Sequence, residues 1–240
     1  MLKRIYLFIT QVLLLYSGSL FAARSTQLIG ILHTHPGWAP VLYIQAVTDM
    51  DNLGIVDSII PDSFGHFTYS FTDLDQRSGL VRMWVVPLGA PRNTSIEGLD
   101  ENQCFLALPP SGEDLNWEGD AEALFYSSRL NSSELNQLTL WMRDLKIPFR
   151  NWMEKQRGIL TTDSGAIPFR QAGVYEQWLD LLEDYRHQLA QKLEESLPDP
   201  IKLLGLYYWY RSNLGRYDPV FFQSILATFR SRHWTLYQRI

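Results

Sequence analysis

Apolar and polar side chains alternate in short runs through the first half of the chain and recur at helical spacing through the second. Runs rich in β-branched and aromatic residues stand at 26–33, 40–47, 54–60, 66–72, 79–87 and 102–108, punctuated by Gly, Pro, Asn and Asp. Six short strands with turns at this spacing predict a small antiparallel sandwich. The alternation is clearest in 66–71, where Phe67, Tyr69 and Phe71 share one face and His66, Thr68 and Ser70 the other. In 81–86 both faces are largely apolar: Arg82, Trp84 and Val86 alternate with Val81, Met83 and Val85. One face is therefore expected to meet a second sheet, and the other the helical half. The stretch 53–71 organises this half, as two strand-like runs about Pro61, Asp62 and Gly65, and predicts a hairpin. Pro61 stops the preceding strand, and Gly65 supplies a positive φ.

Beyond the linker-like Pro109-Pro110-Ser111-Gly112 the period becomes helical. Asn131 and Glu134 have capping-box spacing ahead of a stripe of Leu135, Leu138, Trp141, Met142 and Leu145, and Pro148 is expected to kink or end that helix. A second stripe, Trp178, Leu181, Leu182, Tyr185, Leu189 and Leu193, lies opposite Asp180, Glu183, Asp184 and His187. Asp199-Pro200 and Asp218-Pro219 each place an N-cap aspartate before a first-turn proline. The helix that follows Asp199 carries Tyr207, Tyr208, Trp209 and Tyr210 in succession. Four consecutive aromatics cannot share one face, so core filling competes with a partner-binding surface. The expected fold class is α+β: an N-terminal antiparallel β-sandwich at 24–111 followed by an all-α helical domain at 112–240.

Residues 1–23 change the picture by adding a compartment. Lys3 and Arg4, an apolar run from Ile5 to Tyr16, a Ser17-Gly18-Ser19 break and Ala22-Ala23 read as a secretory signal. The apolar core is shorter than the roughly 20 residues a spanning helix needs, so cleavage is expected to leave no transmembrane span. The expected location is the periplasm or the cell surface. Loss of Lys3 and Arg4, with no acid, moves the formal net charge from −5 to −7. That balance argues against a nucleic-acid partner. Cys104 is the chain's single cysteine, so neither a Cys-x-x-Cys redox pair nor a multi-cysteine zinc site exists within it. Its apolar flanks Phe105, Leu106 and Leu108 predict a buried thiol.

Three groups of side chains invite a chemical reading. His33-Thr34-His35-Pro36 matches the His-x-His-Pro metal-ligand pattern of the JAMM-type isopeptidases. Downstream, however, neither the serine nor the aspartate of that family stands at its place. The first 48 residues contain no acid at all, so no catalytic glutamate lies upstream. The plainer reading is a Pro-Gly turn with two solvent-facing histidines. Asp49 and Asp51 on one turn and Asp73 and Asp75 on another form a second group. If strands two to four make a meander, these four carboxylates converge to bind calcium; otherwise they are solvated turn acids. The third group is the aromatic run 207–210. No nucleophile elbow, phosphate loop, His-Glu-x-x-His pattern or solenoid-length repeat is present.

Two segments resemble a known family. The run Asp57-Ser-Ile-Ile-Pro-Asp-Ser-Phe-Gly-His-Phe-Thr-Tyr69, preceded by Trp38-Ala-Pro-Val-Leu-Tyr43 and followed by Gly79-Leu-Val-Arg82, resembles the N-terminal β-sandwich of exported Bacteroidetes proteins, of the DUF4369 or carboxypeptidase-regulatory-like kind. Leu203-Leu-Gly-Leu-Tyr-Tyr208 and Asp218-Pro-Val-Phe-Phe222 are similar to the helical segment that follows it. In fuller members a thioredoxin-like domain comes next, and this chain ends at Ile240, about where that domain begins. The resemblance implies a non-catalytic envelope module without a cofactor, acting on an envelope protein or a small ligand. It leaves open an accessory or truncated remnant of a periplasmic thiol-disulfide oxidoreductase. From the residues themselves, a metal-dependent hydrolase built on His33 and His35 remains a further alternative.

Overall fold

The structure, a computed structural model, describes residues 26–47, 56–72, 75, 78–91, 102–109, 112–131, 134–160, 173–212 and 219–228. The predicted signal segment, together with Asp49, Asp51, Asp73 and Asp218, lies outside the described residues. All six predicted strands form, as β1 (Gln27–His33), β2 (Leu42–Ala46), β3 (Val56–Ile59), β4 (His66–Ser70), β5 (Leu80–Trp84) and β6 (Gln103–Ala107). The strands do not stop there. Within the segment expected to be all-helical lie β7 (Leu115–Asp120), the short helix α1 (Leu124–Ser127) and β8 (Arg129–Leu130). Helices α2 (Glu134–Asp144), α3 (Ile147–Leu160), α4 (Val174–Glu194), α5 (Asp199–Ser212) and α6 (Pro219–Leu226) follow. The change from strand to helix thus falls after Leu130, because 115–120 is itself a period-two run with Leu115, Trp117 and Gly119 inward.

The strands divide into two four-stranded sheets, in the orders β4-β1-β7-β8 and β3-β2-β5-β6. The second sheet is antiparallel throughout, but β1 and β7 run parallel, with His33 opposite Asp120. The expectation of a purely antiparallel sandwich is corrected at that pair. So is the hairpin at 53–71: β3 pairs with β2 and β4 with β1, so the Pro61–Gly65 turn carries the chain from one sheet to the other. Strands two, three and four are therefore not a meander.

That crossing is held by its own chemistry. Asp62 accepts backbone N–H bonds from Phe64 and His66 on one carboxylate oxygen, at 2.8 and 2.9 Å. Those donors hold the Asp62 carboxyl below its usual range. Gly65 sits at φ 85°, donates to the Asp62 carbonyl and accepts from the Leu32 N–H, both at 2.9 Å. The turn is pinned to the end of β1.

Alternation sets the layers. Leu28, Leu32, Phe67, Leu115 and Trp117 of the first sheet pack against Leu42, Ile44, Val81, Met83 and Leu106 of the second. Cys104 lies in this core, and burial pushes its thiol up to about 12. The residues one step out of phase, Leu80, Phe105 and Ala107, join a second core with α2, α4 and α5. The helices thus cover the outer face of the second sheet, as the doubly apolar 81–86 run predicts. At the β6 edge the Ala107 N–H is taken by Asn136 of α2 at 3.3 Å.

One local expectation changes and another is met. The Asn131 side chain bonds the strands instead of capping α2: its Oδ1 accepts from the Asn116 N–H and its Nδ2 donates to the Asp114 carbonyl. Pro148 is preceded by the end of a helix, as expected: α2 stops at Asp144, the residue whose carbonyl the proline ring would meet in a continued helix, and the proline sits in the first turn of α3, where no intrahelical N–H is needed. Helix α5 is buried almost all round from Ile201 to Trp209. No helix among the described residues is long and apolar enough to cross a membrane.

Candidate functional site: a histidine and carboxylate cluster

The parallel pairing of β1 and β7 sets the site. Both strands point outward at alternate residues, and the register puts Ile31 opposite Glu118 and His33 opposite Asp120. Near the ends of the two strands, each histidine meets an acid 85 residues further along the chain. His33 Nε2 lies 2.9 Å from Glu118 Oε1, and His35 Nε2 lies 2.8 Å from Asp120 Oδ2. The two histidines predicted to face solvent are thus exposed yet paired.

Asp120 is fixed from several sides. Its Oδ1 accepts the Glu122 N–H at 2.8 Å, and its own N–H donates to Ser127 Oγ of α1 at 2.8 Å. Its remaining oxygen is thereby aimed at His35. Partial burial raises the Asp120 pKa, but the His35 bond and the Glu122 N–H outweigh it, and the net shift is downward. The His35 pKa moves up, first through the hydrogen bond to Asp120 and then through its charge. Both shifts favour the charged pair.

His35, Asp120 and Glu122 each offer one ligand atom, and the three lie within 4.8 Å of one another. One imidazole and two carboxylates suit zinc and other borderline divalent ions, and three protein ligands leave a coordination position open. In that use the Nε2 lone pair, rather than an N–H, faces the centre of the cluster. His33 stands beside this trio without joining it, so the two histidines of the His-x-His-Pro run do not converge on one centre. The rim is wet: the side chains of His35 and Asp120 are 40% and 34% exposed.

A shallow depression of about 390 Å³ on the outer face of the first sheet adjoins the His33–Glu118 pair. Ile29, Ile31, His66, Glu118 and Arg129 line it. Ile29 is 44% exposed, an apolar floor among polar walls.

The other predicted positions fare differently. Asp75 is buried and turned inward, accepting from the Thr72 N–H and hydroxyl at 2.7 Å each, so it fastens its own turn. Tyr207, Tyr208 and Trp209 are 2%, 4% and 7% exposed and belong to the core, which corrects their assignment as a partner-binding surface. Phe105 of β6 packs against both tyrosine rings, and Phe221 lies 4.3 Å from the Trp209 ring. The Tyr210 side chain lies outside the described residues. Glu118, Asp120 and Glu122 were missed. Their signal was the alternation of polar and apolar positions through 115–122, which a reading of that segment as linker and helix passes over. No family model, curated protein or solved structure matches this chain, so the site is read from its own geometry.

Proposed function

We propose that this chain is a non-catalytic binding module of the cell envelope, acting through small-ligand or protein contacts on the outer face of its first sheet, with a divalent cation held by His35, Asp120 and Glu122. The observation that carries the reading is the convergence of those three ligand atoms beside an open, partly apolar face. Envelope location is supported by the apolar run from Ile5 to Tyr16 and the small residues that end at Ala23. The resemblance of 57–69 to exported sandwich domains agrees with it. Binding is favoured over catalysis because the cluster is open to water, whereas catalytic electrostatics gain their strength in water-excluded sites. Redox work by the chain's own thiol is disfavoured, since Cys104 is buried and its thiol stays protonated at neutral pH.

Zinc titration of the purified chain by calorimetry, with elemental analysis, tests the proposal. One bound ion is expected, lost in His35→Ala and Asp120→Asn and retained in His33→Ala. Equal zinc binding by the native chain and His35→Ala would remove the site. Metal-dependent hydrolysis of an isopeptide or ester substrate, abolished in His35→Ala, would move the reading to the hydrolase.

A further inference from the structure

A second candidate site lies in the helical layer, where α2 ends and the chain turns into α3 beneath α4. The corner leaves a groove of about 250 Å³. Its apolar wall is aromatic in Trp141, Phe149 and Tyr185 and aliphatic in Leu145, Pro148 and Leu181, and Trp141 stays 37% exposed although it belongs to the apolar stripe of α2. Two carboxylates, Asp144 and Asp184, stand on opposite helices at its rim. Among the described residues, no lysine, arginine or histidine lines it. Asp144 is matched by Arg143 at 2.7 Å. Asp184 accepts from the neutral Gln188 amide at 2.9 Å, which leaves its negative charge uncompensated by that contact.

Aromatic faces next to a carboxylate are the chemistry that recognises organic cations, because the ring quadrupole and the acid both attract a diffuse positive charge. The chain already uses Trp141 in this way. The Lys192 ammonium lies 4.6 Å from the ring centroid while ion-paired to Glu195 at 2.6 Å. Lys192 is not among the residues that line the groove. The volume is below the roughly 300–1,000 Å³ of pockets for drug-sized ligands, which restricts the occupant to a few heavy atoms. We propose that this groove binds a small quaternary ammonium compound, its methyl groups against Trp141, Phe149 and Tyr185 and its charge toward Asp184.

Choline is the probe, and the uncharged neohexyl alcohol of the same shape is its control. Calorimetry and the Trp141 indole N–H resonance report binding to the full chain. Choline is expected to bind about tenfold tighter than the alcohol. Asp184→Asn should weaken choline roughly threefold without affecting the alcohol, and Trp141→Leu should abolish the preference. Three results would overturn the proposal: equal binding of the two compounds, choline binding unchanged in both variants, or no saturable shift of Trp141 with choline up to about 20 mM, well above a millimolar Kd.

Discussion

Replacing Gly65 with alanine tests the sheet-crossing turn directly. At φ 85° an L side chain is held in the left-handed region, at a cost of about 1–2 kcal/mol. A Cβ at this position would overlap the Leu32 carbonyl oxygen and lie 3.2 Å from the Leu32 carbonyl carbon. Both are backbone atoms of β1 and cannot rotate away. Relief requires the turn to shift, which strains packing by about 1–3 kcal/mol and lengthens the 2.9 Å bond from the Leu32 N–H to the Gly65 carbonyl. The expected loss is about 2–5 kcal/mol, or roughly 10 °C in Tm for a chain of this size. Gly89 is the control. Its φ is 82°, and an added Cβ meets nothing within 4 Å, so Gly89→Ala should lose only about 1–2 kcal/mol. Urea and thermal denaturation followed by circular dichroism would measure both variants. Equal losses would show that close approach to β1 contributes nothing, and the account of the crossing would fail.

Two further outcomes follow from the titrating groups. Cys104, with its thiol pushed up to about 12, should resist a thiol reagent at pH 8 in the native chain and react on unfolding; fast native labelling would show that it is not core. The imidazole of His35, followed by NMR, should titrate above its ordinary 6.5 and return toward that value in Asp120→Asn. The stabilisation linked to His35 is complete below pH 6.5 and fades as pH rises through the raised pKa. That linked to Asp120 is present above pH 3.8 and fades as pH falls through the lowered one. The pair therefore contributes most between those limits, and a His35 midpoint at or below 6.5 would contradict the geometry.

Much of the local structure was legible in the chain itself. Six strands stand where β-branched and aromatic runs lie between turn residues, and Gly65 takes the positive φ its neighbours demanded. The two apolar faces of 81–86 announced a layer on each side of the second sheet, and a sheet and a helical core occupy them. Cys104 is buried, as its flanks required.

What the chain could not decide alone is which strands pair. Alternation fixes the face on which a side chain stands, but the partner strand is chosen by how two apolar faces close on each other. Hence β3 and β4, adjacent in sequence, belong to different sheets, while β1 finds β7 more than 80 residues away and lies parallel to it. That one long-range pairing brings Glu118 and Asp120 to His33 and His35 and so creates the candidate centre. The aromatic run shows the same limit. Composition marked Tyr207, Tyr208 and Trp209 as core or interface, and the packing of α5 among β6, α4 and α6 made them core. Sequence therefore determined the elements and the faces they present, and tertiary packing determined which residues meet, because the energy of closing a layered core depends on surfaces that the chain brings together only when folded.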